Sequence, residues 1–297
     1  ALIDEQHRFG VRQRQALIDK GKETDFLAMT ATPIPRTLAL TVYGDMSVSE
    51  IHHLPSGRQP IVSRWVNSRQ LADVYRQMQA QLAAGFQIYA VTPLIHESEK
   101  SDLKNAVELS QRLTQAFPRY KVVLLHGQLR DDQKETIMSD FHAKKIDLLV
   151  TTSVIEVGVD VPNANMMVVF DADRFGLSQL HQLRGRIGRG HTASYCVFVA
   201  DPTTEIGKKR MKIITQTSDG FKIAEEDLKL RGEGDLFGQA QSGLPNFKIG
   251  NVVTDCAMLL TAKKCAAQLL EKDPDLTDSG NRFLKTVLEY KKYHNLQ

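Results

Sequence analysis

From Ile61 to Ala200 the apolar positions keep two alternating rhythms. Short runs at Ile61 to Val66, Phe86 to Thr92, Lys121 to Leu125, Ile146 to Val150, Asn165 to Asp171 and Ser194 to Ala200 read as buried strands. Between them lie segments with helical spacing. Arg69 to Ala84 is one, stopped by Gly85. Asn105 to Phe117 is another, with Val107, Leu109, Leu113, Ala116 and Phe117 on one stripe. Asp131 to Ala143 and Leu177 to Arg189 complete the set. Strands that alternate with helices of this length predict an α/β fold, a parallel sheet wrapped by helices. Right-handed crossovers then gather every strand's C-terminal end on one edge.

The flanks have different textures. Ala1 to Ile3 reads as the end of a strand running into Asp4 and Glu5. A helix is expected from Phe9 to Lys20, closed by Gly21, and a second short strand from Phe26 to Met29. A helix-like run covers Thr37 to Tyr43. His52 to Pro60 has the Pro/Gly/Ser composition of a linker, and its paired His52 and His53 read as loop surface. After Ala200, a Lys-rich helix is expected over Thr203 to Thr217 and a short one over Ala224 to Leu230. The run from Leu230 to Pro245 holds Gly232, Gly234, Gly238 and Gly243, too many for a helix interior, and predicts a loop that docks on something. Helices over Val252 to Leu270 and Asn281 to Tyr293 close the chain. The expected domains are 1–58, 59–201 and 202–297.

Composition narrows this only slightly. The 297 residues are 42% hydrophobic and 25% charged, with a net charge of +3. Such mild basicity permits a nucleic-acid patch without arguing for one. Cys196, Cys256 and Cys265 form no CxxC pair and have no histidines at metal spacing, which fits a reducing cytoplasm and excludes a disulfide scaffold. No apolar run approaches the ~20 residues of a membrane span. The first residue is not Met, and the opening residues look like a strand under way, so the chain reads as a fragment.

The candidate chemistry sits at strand ends. Asp4 is placed to hold Mg²⁺ through water, and Glu5 to orient an attacking water; a plain surface strand end fits the same pair. Thr30 and Thr32, before Pro33 and Pro35, suit a sensor of a neighbouring phosphate or an ordinary strand-to-loop turn. Thr92, His126, Gly127, Thr151 and Thr152, with Gly158 and Asp160, line the shared edge. Hydroxyls, glycine amides and helix N-termini hold nucleic-acid backbones without reading sequence, though Thr92 also suits an N-cap and His126 a packed loop. Then comes His181 to Arg189, with Arg184, Arg186 and Arg189 spaced by Gly185 and Gly188. Guanidinium groups bind phosphate oxygens with paired hydrogen bonds. If the whole segment is helical, Gln182, Arg186 and Arg189 share one face.

Four motifs in order resemble those of superfamily 2 helicases: Asp4-Glu-Gln-His7, Thr30-Ala-Thr32, Thr151 to Asp160, and Gln182 to Arg189. Asp4 to Gly10, Ala31 to Arg36 and Arg174 to Arg186 resemble more closely the RecG family and its Mfd relatives. Gln6 and the run Gln241 to Lys248 favour the RecG side. The resemblance implies a RecA-like sheet, preceded by an incomplete RecA-like domain and followed by a helical hairpin extension. It implies an ATP-dependent DNA helicase and translocase that remodels branched DNA such as stalled forks and Holliday junctions, with ATP and Mg²⁺ as cofactors.

By the same resemblance, Asp4 and Glu5 take the metal and water-activating roles. Gln182, Arg186 and Arg189 face the γ-phosphate. Thr30, Thr32, Arg231 and Gln241 couple nucleotide state to movement. Gly158 and Asp160 lie at the nucleotide side of the domain interface. The phosphate-binding run Gly-x-x-x-x-Gly-Lys-Ser/Thr does not occur in this sequence, nor does the family's N-terminal wedge domain. Residues 1–297 alone are therefore expected to hydrolyse no ATP. A monomer that works with the N-terminal part of the same protein, away from membranes, is expected. The alternatives are a transcription-repair coupling translocase of the Mfd type and a non-catalytic nucleic-acid-binding module.

Overall fold

The computed structural model describes residues 1–4, 13, 16–17, 20–21, 24–30, 49–51, 59–93, 99–152, 161–190, 192–237 and 256–294. They fall into two compact units, the first of 1–33 with 50–230 and the second of 34–49 with 231–297.

The first unit opens with two short parallel strands, β1 (Leu2–Ile3) and β2 (Leu27–Ala28), in register Ile3 to Ala28. Both fall inside runs that read as strands in the sequence. Gln13, Ala16 and Leu17 between them are helical.

The main sheet has six strands, β3 (Ile61–Val66), β4 (Gln87–Val91), β5 (Val122–Leu125), β6 (Leu148–Thr151), β7 (Ala164–Val169) and β8 (Ser194–Val199). They pair in the order β3-β8-β7-β4-β6-β5, all parallel. Helices α1 (Leu71–Ala83), α2 (Glu99–Ala116), α3 (Asp131–His142), α4 (Leu177–Arg184), α5 (Glu205–Gln216) and α6 (Gly220–Phe237) connect or follow the strands.

The period-two alternation of the strands sorts the core into two layers. Ile88, Ala90, Val150, Val168 and Val197 face one side, where Val74, Met78 and Leu82 of α1 and Leu109 and Leu113 of α2 cover them. Tyr89, Leu149, Met167, Cys196 and Phe198 face the other. Phe141 of α3, Leu177 and Leu180 of α4, Met211 and Ile214 of α5 and Ile223 of α6 cover that side. Tyr89 meets Phe141 edge to face, with ring centroids 4.9 Å apart. Polar ties fix the layers: Gln87 Nε2 donates to the carbonyls of Phe141 and Ile146, and Trp65 Nε1 to that of Ala200.

Past the expected boundary at 202, Met211, Ile214 and Ile223 of the following helices pack into the sheet's own core. The first unit therefore runs to Leu230. The glycine-rich stretch also begins as helix: α6 passes through Gly232 and Gly234 to Phe237. Each glycine costs about 1 kcal/mol in a helix interior, but propagation from a turn already anchored by Ile223, Ala224 and Leu228 needs no new nucleus. Residues 238–245 of that stretch lie outside the described residues.

The second unit contains α7 (Cys256–Lys272) and α8 (Arg282–His294). The turn between them is organised by Asp273. Its carboxylate accepts hydrogen bonds from Thr277 N, Thr277 Oγ1, Asp278 N and Asn281 Nδ2. Those donors hold its acid well below the usual carboxylate range, at about 2.

Candidate nucleotide and nucleic-acid site

Parallel pairing aligns the C-terminal ends of the six strands. Leu125 and Val91 both lie level with Thr151, Val91 with Val169, and Val169 with Phe198. The residues that follow therefore form one rim: Thr92, His126–Gly127, Thr152, Phe170–Asp171 and Ala200–Asp201. The edge foreseen from the strand pattern is present, but much of its chemistry faces inward. Thr92, Thr151 and Thr152 are 3%, 0% and 1% exposed. Thr92 N donates to Thr151 O, and Thr151 Oγ1 to Thr152 O. In this conformation their side chains meet the protein interior. Parallel central strands bury both faces, so a threonine at their ends is enclosed like its neighbours.

His126 is half-buried with its Nδ1 enclosed and unpartnered, and Gly127 beside it is exposed. Burial, with Lys134 nearby, pushes the His126 pKa down. Thr152 Oγ1 is also enclosed without a partner. The rim therefore holds two polar atoms with unused hydrogen-bonding capacity, on neighbouring strands. Gly158 and Asp160 lie outside the described residues. Beside the rim is a cavity of about 610 Å³, lined in part by Thr92, Glu108, Arg112, Asp171, Asp173 and Asp201.

The arginine segment departs from the single helix foreseen for Leu177 to Arg189. α4 ends at Arg184, and Gly188 has φ +75°, a left-handed conformation that suits glycine. Gln182, Arg186 and Arg189 therefore do not share one helical face. Arg186 and Arg189 leave from an irregular segment. That segment is well fixed: Ile187 and Gly188 are buried, and a Cβ on Gly188 would come within 2.8 Å of the Ile61 side chain. Arg189 is exposed, while Arg186 and Gln182 are half-buried.

Arg184 is separated from the other two. It is 4% exposed, and its Nη1 donates to the carbonyls of Ile214 and Thr217 at 2.7 and 2.9 Å. Its Nη2 lies 3.0 Å from His181 Nδ1. Burial pulls its pKa down. Burial and the adjacent guanidinium also push His181 down to about 4, against the opposing field of Asp219. Cys196 beneath them is pushed up to about 12 by burial. The sequence carried a signal for this: Leu177, Leu180 and Arg184 are spaced i, i+3, i+7, so Arg184 lies on the apolar stripe.

In the first, two-stranded sheet, Met29 N donates to Ile3 O, so Asp4 and Thr30 emerge from adjacent parallel strands at the same end. Both are exposed. The structure thus brings together the described members of the first two motifs. Glu5, Thr32 and Gln241 lie outside the described residues, and Arg231 falls on α6.

Comparison with known proteins agrees with this layout. Residues 71–191 match the helicase conserved C-terminal domain, and residues 217–297 match domain 3, C-terminal, of the ATP-dependent DNA helicase RecG. The ATP-dependent DNA helicase RecG of Streptococcus pneumoniae is 52% identical over 98% of this chain and 44% of its own length. That of Bacillus subtilis is 50% identical over 92% of this chain and 40% of its own. A structure of RecG bound to a three-way DNA junction superposes with a TM-score of 0.67 at 42% identity, covering 87% of this chain and 33% of that one. The chain spans about two fifths of the length of the curated relatives it matches.

Proposed function

Since this chain belongs to the RecG helicase family, we propose that it carries the arginine-bearing half of an ATP-driven motor that moves along and remodels branched duplex DNA. The relatives named above are ATP-dependent DNA helicases, and one is seen on a three-way junction. The observation that supports the reading best is the segment 185–189. It presents Arg186 and Arg189 from backbone held against Ile61 and Ser194, the first residues of two neighbouring strands, at the N-terminal edge of the six-stranded parallel sheet. Polyphosphate recognition needs cations held in place before the charge develops.

The donor sets suit Mg²⁺ and ATP. Asp4 is an exposed carboxylate at a strand end, fit to hold a hydrated divalent cation, and Glu5 follows it. ATP when bound supplies the phosphoryl group that is transferred to water. Arg186 and Arg189 bind and neutralise the γ-phosphate oxygens, Gln182 orients beside them, and Glu5 positions the water. Thr30 and Thr32 report the nucleotide's state, and Arg231 and Gln241 pass it to the DNA-moving segment. His126, Gly127 and the rim beside them hold the DNA backbone. Gly158 and Asp160 lie at the nucleotide side of the cleft. We place this work in a cytoplasmic monomer.

An arginine that stabilises phosphoryl transfer is worth ~10³–10⁵ in rate, or roughly 4–7 kcal/mol of barrier. In the full-length protein, Arg189→Ala is therefore expected to bind ATP near normally and to lose at least ~10³-fold in DNA-stimulated hydrolysis. Fluorescent-nucleotide binding and phosphate release measure the two halves. Wild-type turnover in the variant would remove Arg189 from the chemistry.

A further inference from the structure

The C-terminal rim changes character along the sheet. In the strand order, β6 and β5 lie at one end, followed by Thr152 and by His126–Gly127. β8 and β7 lie toward the other, and the turns after them carry Asp201, Asp171 and Asp173. These three carboxylates, with Glu108 of α2, line the cavity of about 610 Å³, against the guanidinium groups of Arg112 and Arg174. Coulomb repulsion disfavours phosphate at such a mouth.

The cavity also has apolar lining. Leu109, Phe170 and Val199 line it and are buried. On α2, Asn105, Glu108, Leu109 and Arg112 are spaced i, i+3, i+4, i+7 and form one stripe along it. Asp201 is already engaged, accepting from Ser68 N. The Asp171 and Asp173 side chains take no hydrogen bond or ion pair among the described residues. Asp171 has φ +47°, a left-handed conformation that glycine would adopt more easily. Thr92 is buried and lines the cavity, and its hydroxyl takes no hydrogen bond among the described residues.

The acids do not make a metal centre: among the described residues no group of three could hold an ion. Separated carboxylates, a spare hydroxyl and apolar walls match instead a long side chain with an aliphatic stem and a cationic head. We propose that the β7–β8 part of the rim is a docking site for a basic segment of a second protein, whose arginine or lysine side chains enter this cavity. A charged mouth suits a partner that comes and goes, because permanent interfaces are more apolar. The proposal does not depend on the roles given to Arg186 and Arg189.

The test uses the full-length protein without DNA. The probe is a short fluorescein-labelled peptide of alternating arginine and alanine, followed by anisotropy at low salt, where exposed charges are least screened. The same peptide with glutamate in place of arginine is the control. The wild-type protein should bind the arginine peptide and not the glutamate one. Asp171→Asn together with Asp173→Asn should weaken binding about tenfold, the range of two exposed charge pairs lost. Asn105→Trp, at an exposed helix position, fills the mouth at unchanged charge and should weaken binding by about tenfold or more. Asp132→Asn with Glu135→Gln removes the same charge from α3 and should change binding by less than about twofold. Circular dichroism melts establish that each variant is folded.

No preference for the arginine peptide would overturn the proposal. So would an equal loss in the α3 variant, which would mean diffuse attraction to a negative surface, or wild-type binding by folded Asn105→Trp protein. Binding to residues 1–297 but not to the full-length protein would give the cavity to the protein's own N-terminal part and overturn the assignment to a second protein. Failure of the wild-type protein to hydrolyse ATP on branched DNA would instead bring down the functional reading, and leave this one standing.

Discussion

The sheet region and the C-terminal helices keep their apolar residues in opposite places. Around the sheet, Tyr89, Phe141, Met167 and Phe198 are buried, and α1 to α6 each contribute to one of two core layers. In α7 and α8, Met258, Leu270, Phe283, Leu288 and Tyr290 are exposed, and among the described residues of the second unit only Asp273 and Leu276 are buried. The first region is organised by a shared apolar interior, and polar groups are added where they position something. In the second, the best-satisfied feature is a polar turn. Periodicity locates helices in both, but it says which face goes inward only where an opposing layer exists to receive it.

The comparison breaks most sharply at Phe141. This ring is fully buried and stacks edge to face on Tyr89. Phe141→Ala is expected to destabilise the sheet unit by ~3–5 kcal/mol. Trp65, the chain's only tryptophan, lies in β3 and reports on this unit alone. Denaturant unfolding followed by its emission measures the loss. A change under about 1 kcal/mol would mean that the core layer collapses around the gap, and that burial does not separate the two regions as drawn.

How far the sequence carried this picture follows from the same contrast. Each of the six main strands coincides with a run legible beforehand, Thr151 of β6 and Ala164 of β7 lying just outside theirs, because buried parallel strands are continuous apolar stretches with few competing readings. The end of α4 was misread because Arg186 and Arg189 continue a helical spacing. The break lies in the φ of Gly188 and in its approach to Ile61, a contact made by a strand over 120 positions away. The separation of Arg184 from its two neighbours was legible in its spacing from Leu177 and Leu180. A guanidinium count outweighed it. The enclosure of Thr151 and Thr152 was not legible, because strand-end hydroxyls look the same whether they face solvent or the next layer.

Acid should separate the regions in time. His181 is held at about 4 in the folded protein, against an ordinary value of 6.5. Its neutral form is favoured by folding, so the associated stability is fully present above about pH 6.5 and is lost as pH falls through 6.5 toward 4. The amount is on the order of 1–3 kcal/mol. Asp273 is lowered from 3.8 to about 2, so its contribution holds above about pH 4 and is lost between 4 and 2. The sheet unit should therefore weaken first. Trp65-monitored stability should fall between pH 6.5 and 4.5 while amide protection at Thr277 and Asp278 persists. His181→Gln should flatten the first slope. If protection around Asp273 disappears before the tryptophan transition moves, the ordering is wrong.

The smallest effect gives the finest test of the comparison. Phe283 is 80% exposed on α8, with Leu284, Val287 and Leu288 also exposed within the next turn and a half. Burying a phenylalanine is worth ~1.5–3 kcal/mol, and leaving it in water contributes almost none of that. Phe283→Ser in residues 1–297 should therefore shift stability by less than ~0.5 kcal/mol, the range of ordinary surface changes. The same substitution at Phe141 would remove the full burial term and leave a hydroxyl in the core. Hydrogen exchange along α8 and the denaturant midpoint decide between the cases. A loss of 2 kcal/mol or more at Phe283 would show that α8 buries this ring in solution, and the second unit would then be held together by the same kind of apolar contact as the first.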